Sequence, residues 1–180
     1  MENILIRIFG IAGFVLGVLA FQSNKHKGIV MAKLGSEVAF TVQYFLLDAY
    51  TGSIMNFVGV IRNYVFYRLV EKNKSTKVAM YIFCGVYIVA ALVTWEGPES
   101  LLPLVGKLIS TVAYSMKNTR VIRMLNLPTL TMWIAYNCTC SAWEALATDS
   151  ISLISVLIAM CRFDIVPYFK AKKLAKNKAD

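Results

Sequence analysis

A run of residues without a single charge, Val78–Trp95 (VAMYIFCGVYIVAALVTW), constrains this chain more than any other feature. Coiled as a helix at about 1.5 Å per residue, it reaches across most of a hydrocarbon layer about 30 Å thick. Lys72, Lys74 and Lys77 precede the run, while Trp95, Glu96 and Glu99 close it. The positive-inside rule therefore puts its first end in the cytoplasm. The run lies near the middle of 180 residues, between apolar stretches that look like two copies of one pattern.

Composition agrees with a membrane protein. Hydrophobic residues make up 58% of the chain and charged residues only 16%, and the mean hydropathy is +0.60. The net charge of +9 does not indicate nucleic acid, because the basic residues are bunched between apolar runs and form no stripe on a soluble fold. Cys84 and Cys161 fall inside apolar spans, Cys138 and Cys140 form a C-x-C pair, and His26 is the single histidine, so no zinc set is expected. The first apolar run has no evident cleavage site after it and reads as a retained helix.

Taken in order, the expected spans are Ile4–Phe21, Gly28–Leu47, Ala49–Tyr67, Val78–Trp95, Leu101–Met116, Met124–Cys140 and Ser150–Phe163. The links after the first, third and fifth spans, together with the tail Lys170–Lys178, hold most of the lysine and arginine. The links after the second, fourth and sixth hold Asp48, Glu96, Glu99, Glu144 and Asp149. Seven crossings, with the N-terminus outside and the C-terminus cytoplasmic, satisfy the positive-inside rule throughout. Six would put a basic link outside.

The segment AFQSNKHKGIVM (20–31) aligns with AYSMKNTRVIRM (113–124), and the same offset pairs Gly35 with Pro128 and Phe40 with Trp133. A longer outer link in the second half would then match Arg62 with Arg162. This is the pattern of an internal repeat. It predicts an all-α membrane protein of 3+1+3 form, with two parallel three-helix bundles related by an axis along the membrane normal. The bundles would be residues 1–70 and 100–166, with a basic loop and linker helix at 71–99 and a basic cytoplasmic tail at 167–180.

With its opening GIAGFVLGVLAFQSNKHKGIVMAKL, the GVIRNYVF of the third span and its size, the chain resembles the YgjV-type bacterial inner-membrane family over nearly its whole length. It is more distantly similar to the SWEET, SemiSWEET and PQ-loop superfamily, whose members share the 3+1+3 plan. That similarity implies a small-solute transporter with a site between two bundles, where asparagine and tryptophan line the pocket; Asn56 and Trp133 are the loose matches here.

Charged and amide groups inside apolar spans are costly, so each is a candidate for function or for helix adhesion. Glu37 falls near mid-bilayer with Lys33 one turn earlier, in reach of an i,i+4 pair. Lys107 stands inside the fifth span, where it either snorkels outward or faces a cavity to pair with Glu37 or bind an anionic solute. The candidates for solute binding or coupling are Glu37, Lys33, Asn56, Lys107, Trp133 and Asn137. Arg62 and Arg162 are gating candidates, and Pro103, Gly106 and Pro128 are hinge candidates.

Two classes of function follow: alternating-access transport of a small polar solute, or a non-transporting structural or interaction role. No nucleophile–base pair points to an enzyme, no cofactor or metal is expected, and the expected partners are the lipid bilayer and a small polar solute, with no nucleic acid. Accessibility labelling of cysteines placed at Lys77 and Glu96 should find them on opposite sides of the membrane; the same side would overturn the 3+1+3 expectation.

Overall fold

The structure is a computed structural model that describes residues 2–116, 118–140 and 142–166. The basic tail expected at 170–178 lies outside the described residues. Those residues form seven α-helices and no strand. They are α1 (Glu2–Gln22), α2 (His26–Leu46), α3 (Tyr50–Glu71), α4 (Lys77–Val93), α5 (Leu101–Ser115), α6 (Thr119–Thr139) and α7 (Trp143–Met160). A 3-10 turn, Pro98–Ser100, leads into α5, and a π-helical turn, Cys161–Ile165, continues α7.

Several helices extend beyond the apolar runs because their ends carry polar residues that hydropathy assigns to loops, whereas α4 stops at Val93, two residues short of the expected Trp95. Helix α3 runs on through Arg68 to Glu71, and α6 begins early enough to include Arg120 and Arg123. The expected start of α7 at Ser150 is corrected to Trp143, which takes Asp149 out of a loop and into a helix. Helix α5 is unbroken, and Pro103 sits in its first turn, where its missing N–H has no intrahelical partner to lose. Helix α6 continues through Pro128 with one backbone donor removed.

Each helix packs on its chain neighbour around most of a ring: α1 on α2, α2 on α3, α5 on α6 and α6 on α7. Contacts between α3 and α5 and between α7 and α1 close it, while α4 lies against α3 and α5. The outward faces are apolar. Along α4, Val78, Leu92 and Val93 are 69–78% exposed, and Ile11, Leu19, Phe57 and Ile154 are exposed on other helices. Inside, Arg62 and Asn63 are fully buried and Glu37 and Lys107 nearly so. Apolar outside and charged inside is the distribution expected where lipid replaces water. Two stretches, Lys27–Leu46 and Ala145–Asp164, are long and apolar enough to cross a membrane.

Helix boundaries recur at one spacing. The ends of α1 and α5, both ends of α2 and α6, and the starts of α3 and α7 are each 93 positions apart, the separation of the hydrogen-bonded pair Tyr44 and Asn137. Contacts recur with them. Ser36 Oγ donates to the Gly13 carbonyl at 2.9 Å, and Thr129 Oγ1 to the Gly106 carbonyl at 3.4 Å. A Cβ on Gly13 would press on the Phe40 ring, and one on Gly106 on the Trp133 indole, so the same close helix approach is made twice. Three residues separate α2 from α3 and three separate α6 from α7, so the second half has no longer outer link. The match of Arg62 with Arg162 is therefore corrected: the residue 93 positions beyond Arg62 is Ser155.

The second and third helices of each set are tied at their far ends by an ion pair. Lys27 Nζ lies 3.7 Å from Glu71 with both side chains exposed, and Arg123 makes two hydrogen bonds to Asp164 at 2.9 and 3.0 Å with both nearly buried. Removing one partner of a buried pair typically costs about 3–5 kcal/mol, whereas an exposed pair is screened by solvent and contributes little. In detergent, Asp164→Asn should therefore lower the thermal midpoint clearly while Lys27→Ala leaves it almost unchanged; equal effects would contradict this.

Candidate functional site

Glu37 stands midway along α2 and faces α3 and α5. Its Oε1 receives hydrogen bonds from Lys107 Nζ at 2.7 Å and from Arg62 Nη2 at 3.1 Å, and its Oε2 receives one from Asn63 Nδ2 at 2.8 Å. One carboxylate thus serves two cations from two other helices. Gly59 makes this possible, because a Cβ there would collide with the Glu37 carboxylate.

The arginine is held from every side. Its Nε and Nη2 donate to Asn63 Oδ1, and its Nη1 donates to Ser110 Oγ and Thr111 Oγ1 at 2.9 and 3.0 Å. The guanidinium also lies 5.1 Å from the Tyr114 ring centre and 5.7 Å from that of Tyr87, a cation–π arrangement. Tyr87 belongs to α4, so the central helix contributes to this network. The ammonium of Lys107 donates to Asn56 Oδ1 at 2.8 Å as well as to Glu37, and sits 5.3 Å from the Trp133 ring centre.

Beside the network lies a cavity of about 40 Å³. Helix α2 lines it with Lys33, Ser36, Glu37 and Phe40, and α6 with Asn126, Thr129, Leu130 and Trp133, which stand 93 positions beyond them in the same order. Asn56, also a lining residue, and Asp149 on the opposite wall keep that spacing. Toward one end, Tyr44 donates its hydroxyl to Asn137 Oδ1 at 2.6 Å, and the Asn137 amide donates to Asp149 Oδ2 at 2.8 Å. Toward the other end, Ile29 and Ile122 are fully buried in a cluster with Phe66 and Tyr114.

A family model described as a bacterial inner membrane protein, Imp-YgjV, matches residues 4–165. The chain belongs to the Imp-YgjV family. No curated protein and no solved structure matches it. Family membership makes this a bacterial inner membrane protein, and the buried charges are then groups held away from water.

In this Imp-YgjV protein, Glu37, Lys33, Asn56, Lys107 and Trp133 line one cavity, and Asn137 adjoins it. Lys107 does not snorkel: it is 3% exposed and paired with Glu37. Arg62 is not at a helix end but at the centre of the network, whereas Arg162 is exposed beside Phe163 in the π-helical turn that continues α7. Gly106 provides close packing against Trp133 within a continuous helix. Asp149, Tyr44 and Tyr87 are the site residues that sequence reasoning missed. For Asp149 the available signal was its spacing from Asn56. Among the described residues no group of histidine, cysteine and carboxylate side chains could hold a metal.

The charge pattern predicts unequal losses. Glu37→Gln leaves Arg62 and Lys107 facing one another without a carboxylate and should cost about 3–5 kcal/mol. Lys107→Gln keeps the Glu37 pair with Arg62 and the bond from Asn63, so thermal unfolding in detergent should show a distinctly smaller loss. Adding Lys107→Gln to Glu37→Gln should recover part of the stability lost in the single variant.

Proposed function

We propose that this Imp-YgjV protein carries a small polar solute across the inner membrane by alternating access. Seven spans in a 3+1+3 plan form two parallel three-helix bundles, α1–α3 and α5–α7, joined by α4. The recurrence of helix boundaries and contacts at 93 positions supports a duplicated unit, as does the equivalence of the α3–α5 and α7–α1 contacts that close the ring. The short connections make consecutive helices antiparallel, and the basic links then favour an outside N-terminus and a cytoplasmic C-terminus.

The observation that carries this reading is the polar cavity between the two sets of helices, lined by paired positions of α2 and α6. The Tyr44–Asn137 hydrogen bond is the outer closure and the Ile29/Ile122 contact the inner one, and transport opens them in turn. The linkages Lys27–Glu71 and Arg123–Asp164 join helices within a bundle, which suits bundles that rock as units. No covalent chemistry is assigned to the site, and the reading requires no cofactor.

One observation favours the second class of function. Arg62 is satisfied by Glu37, Asn63, Ser110 and Thr111, a network complete enough to serve as an internal strut in a non-transporting membrane protein. Uptake of a panel of labelled small anions, sugars and amino acids into sealed proteoliposomes separates the two. Transport predicts saturable uptake of at least one solute, reduced to the empty-vesicle level by Ile122→Trp, which fills the inner closure. Uptake indistinguishable from empty vesicles across the panel would favour the strut.

A further inference from the structure

The charges around the cavity do not balance. Three cations, Lys33, Arg62 and Lys107, stand in and beside the cavity with two carboxylates, Glu37 and Asp149. Arg62 and Lys107 share the one carboxylate of Glu37, so cations outnumber carboxylates in the set. An uncompensated positive charge away from water is costly unless an opposite charge joins it.

We infer that the cavity is a binding site for a small monovalent anion, seated against the Lys107 ammonium between Asn56 and Trp133. The inference deepens the transport reading and rests on it for the statement that the anion is cargo. Three features of the site converge on it. Of the two cations that share Glu37, Arg62 has its donors taken up by Glu37, Asn63, Ser110 and Thr111 and does not line the cavity. Lys107 does line it, and with three N–H donors it makes two hydrogen bonds, to Glu37 and Asn56. One N–H of Lys107 thus makes no hydrogen bond among the described residues, on a side chain that lines the cavity. An anion there brings the charge that the network lacks.

Volume sets the size of the occupant. One water needs about 10–15 Å³ of such space, so a cavity of about 40 Å³ holds an ion of roughly three to four heavy atoms. Formate and nitrate fit this description. A sugar or an amino acid does not fit without the halves moving apart.

The test uses the full chain in detergent, exchanged into a buffer whose only anion is gluconate. Thermal midpoints are followed against formate, against nitrate, and against formamide, the neutral counterpart of formate. Formate and nitrate should raise the midpoint saturably and formamide should not. Lys107→Gln should weaken the formate response roughly tenfold or more, as expected for the loss of one charge-assisted hydrogen bond. Glu37→Gln removes the competing carboxylate and should gain more from formate than the wild-type chain does. Equal responses to formate and formamide would overturn the proposal, as would an unchanged formate response in Lys107→Gln. Should Lys107→Gln fail to fold, the formamide comparison and the Glu37→Gln response decide. Anion binding without uptake in vesicles would remove the transport reading and leave the site, and uptake of a neutral or cationic solute without anion binding would do the reverse.

Discussion

The shared carboxylate of Glu37 is the interaction on which the interior depends. It binds Lys107 of α5 and Arg62 of α3 through one oxygen and Asn63 of α3 through the other. Three helices, two from the first half of the chain and one from the second, are thereby fixed to one point. In an apolar surround hydrophobic attraction between helices is weak, and polar contacts of this kind supply much of the specificity of packing. The aromatic rings of Tyr87, Tyr114 and Trp133 enclose the cations without competing for their hydrogen bonds.

Helix boundaries recur at 93 positions, but the chemistry at the matched positions does not. Where α2 has Glu37, α6 has Leu130; where α3 has Arg62 and Asn63, α7 has Ser155 and Val156; and where α5 has Lys107, α1 has Phe14. Ser155 nevertheless occupies the equivalent contact, receiving a hydrogen bond from Gln22 at 2.6 Å and reaching the Val18 carbonyl at 3.4 Å. One junction is thus ionic and the other is held by neutral polar groups. The ionic junction is also the one that α4 covers.

Much of this was legible in the sequence because a charge inside an apolar run is conspicuous. Glu37, Lys33 and Lys107 stand out on that ground, and the short match between 20–31 and 113–124 already carries the spacing that the helices follow. Asp149 was not legible in the same way. It lies close to the three-residue connection before α7, where an acidic residue reads as a loop residue until the helix is seen to begin at Trp143. Arg62 misled for a related reason: hydropathy marks it as an end-of-span residue, but α3 continues to Glu71 and leaves the guanidinium deep in the interior. Burial of a charge depends on partners that lie 25 and 48 positions away in the chain, and no local pattern reports them.

The connection Leu47–Ala49 between α2 and α3 passes through Asp48, whose φ of 57° lies in the left-handed region. Its length sets the azimuth of α3. One residue added there, absorbed by continuing the helix, would turn everything after it by about 100° and swing Arg62 and Asn63 away from Glu37. Side chains on the outer faces are free to drift under such a scheme, whereas insertions and deletions at this joint are not. At this joint the number of residues matters more than their identity.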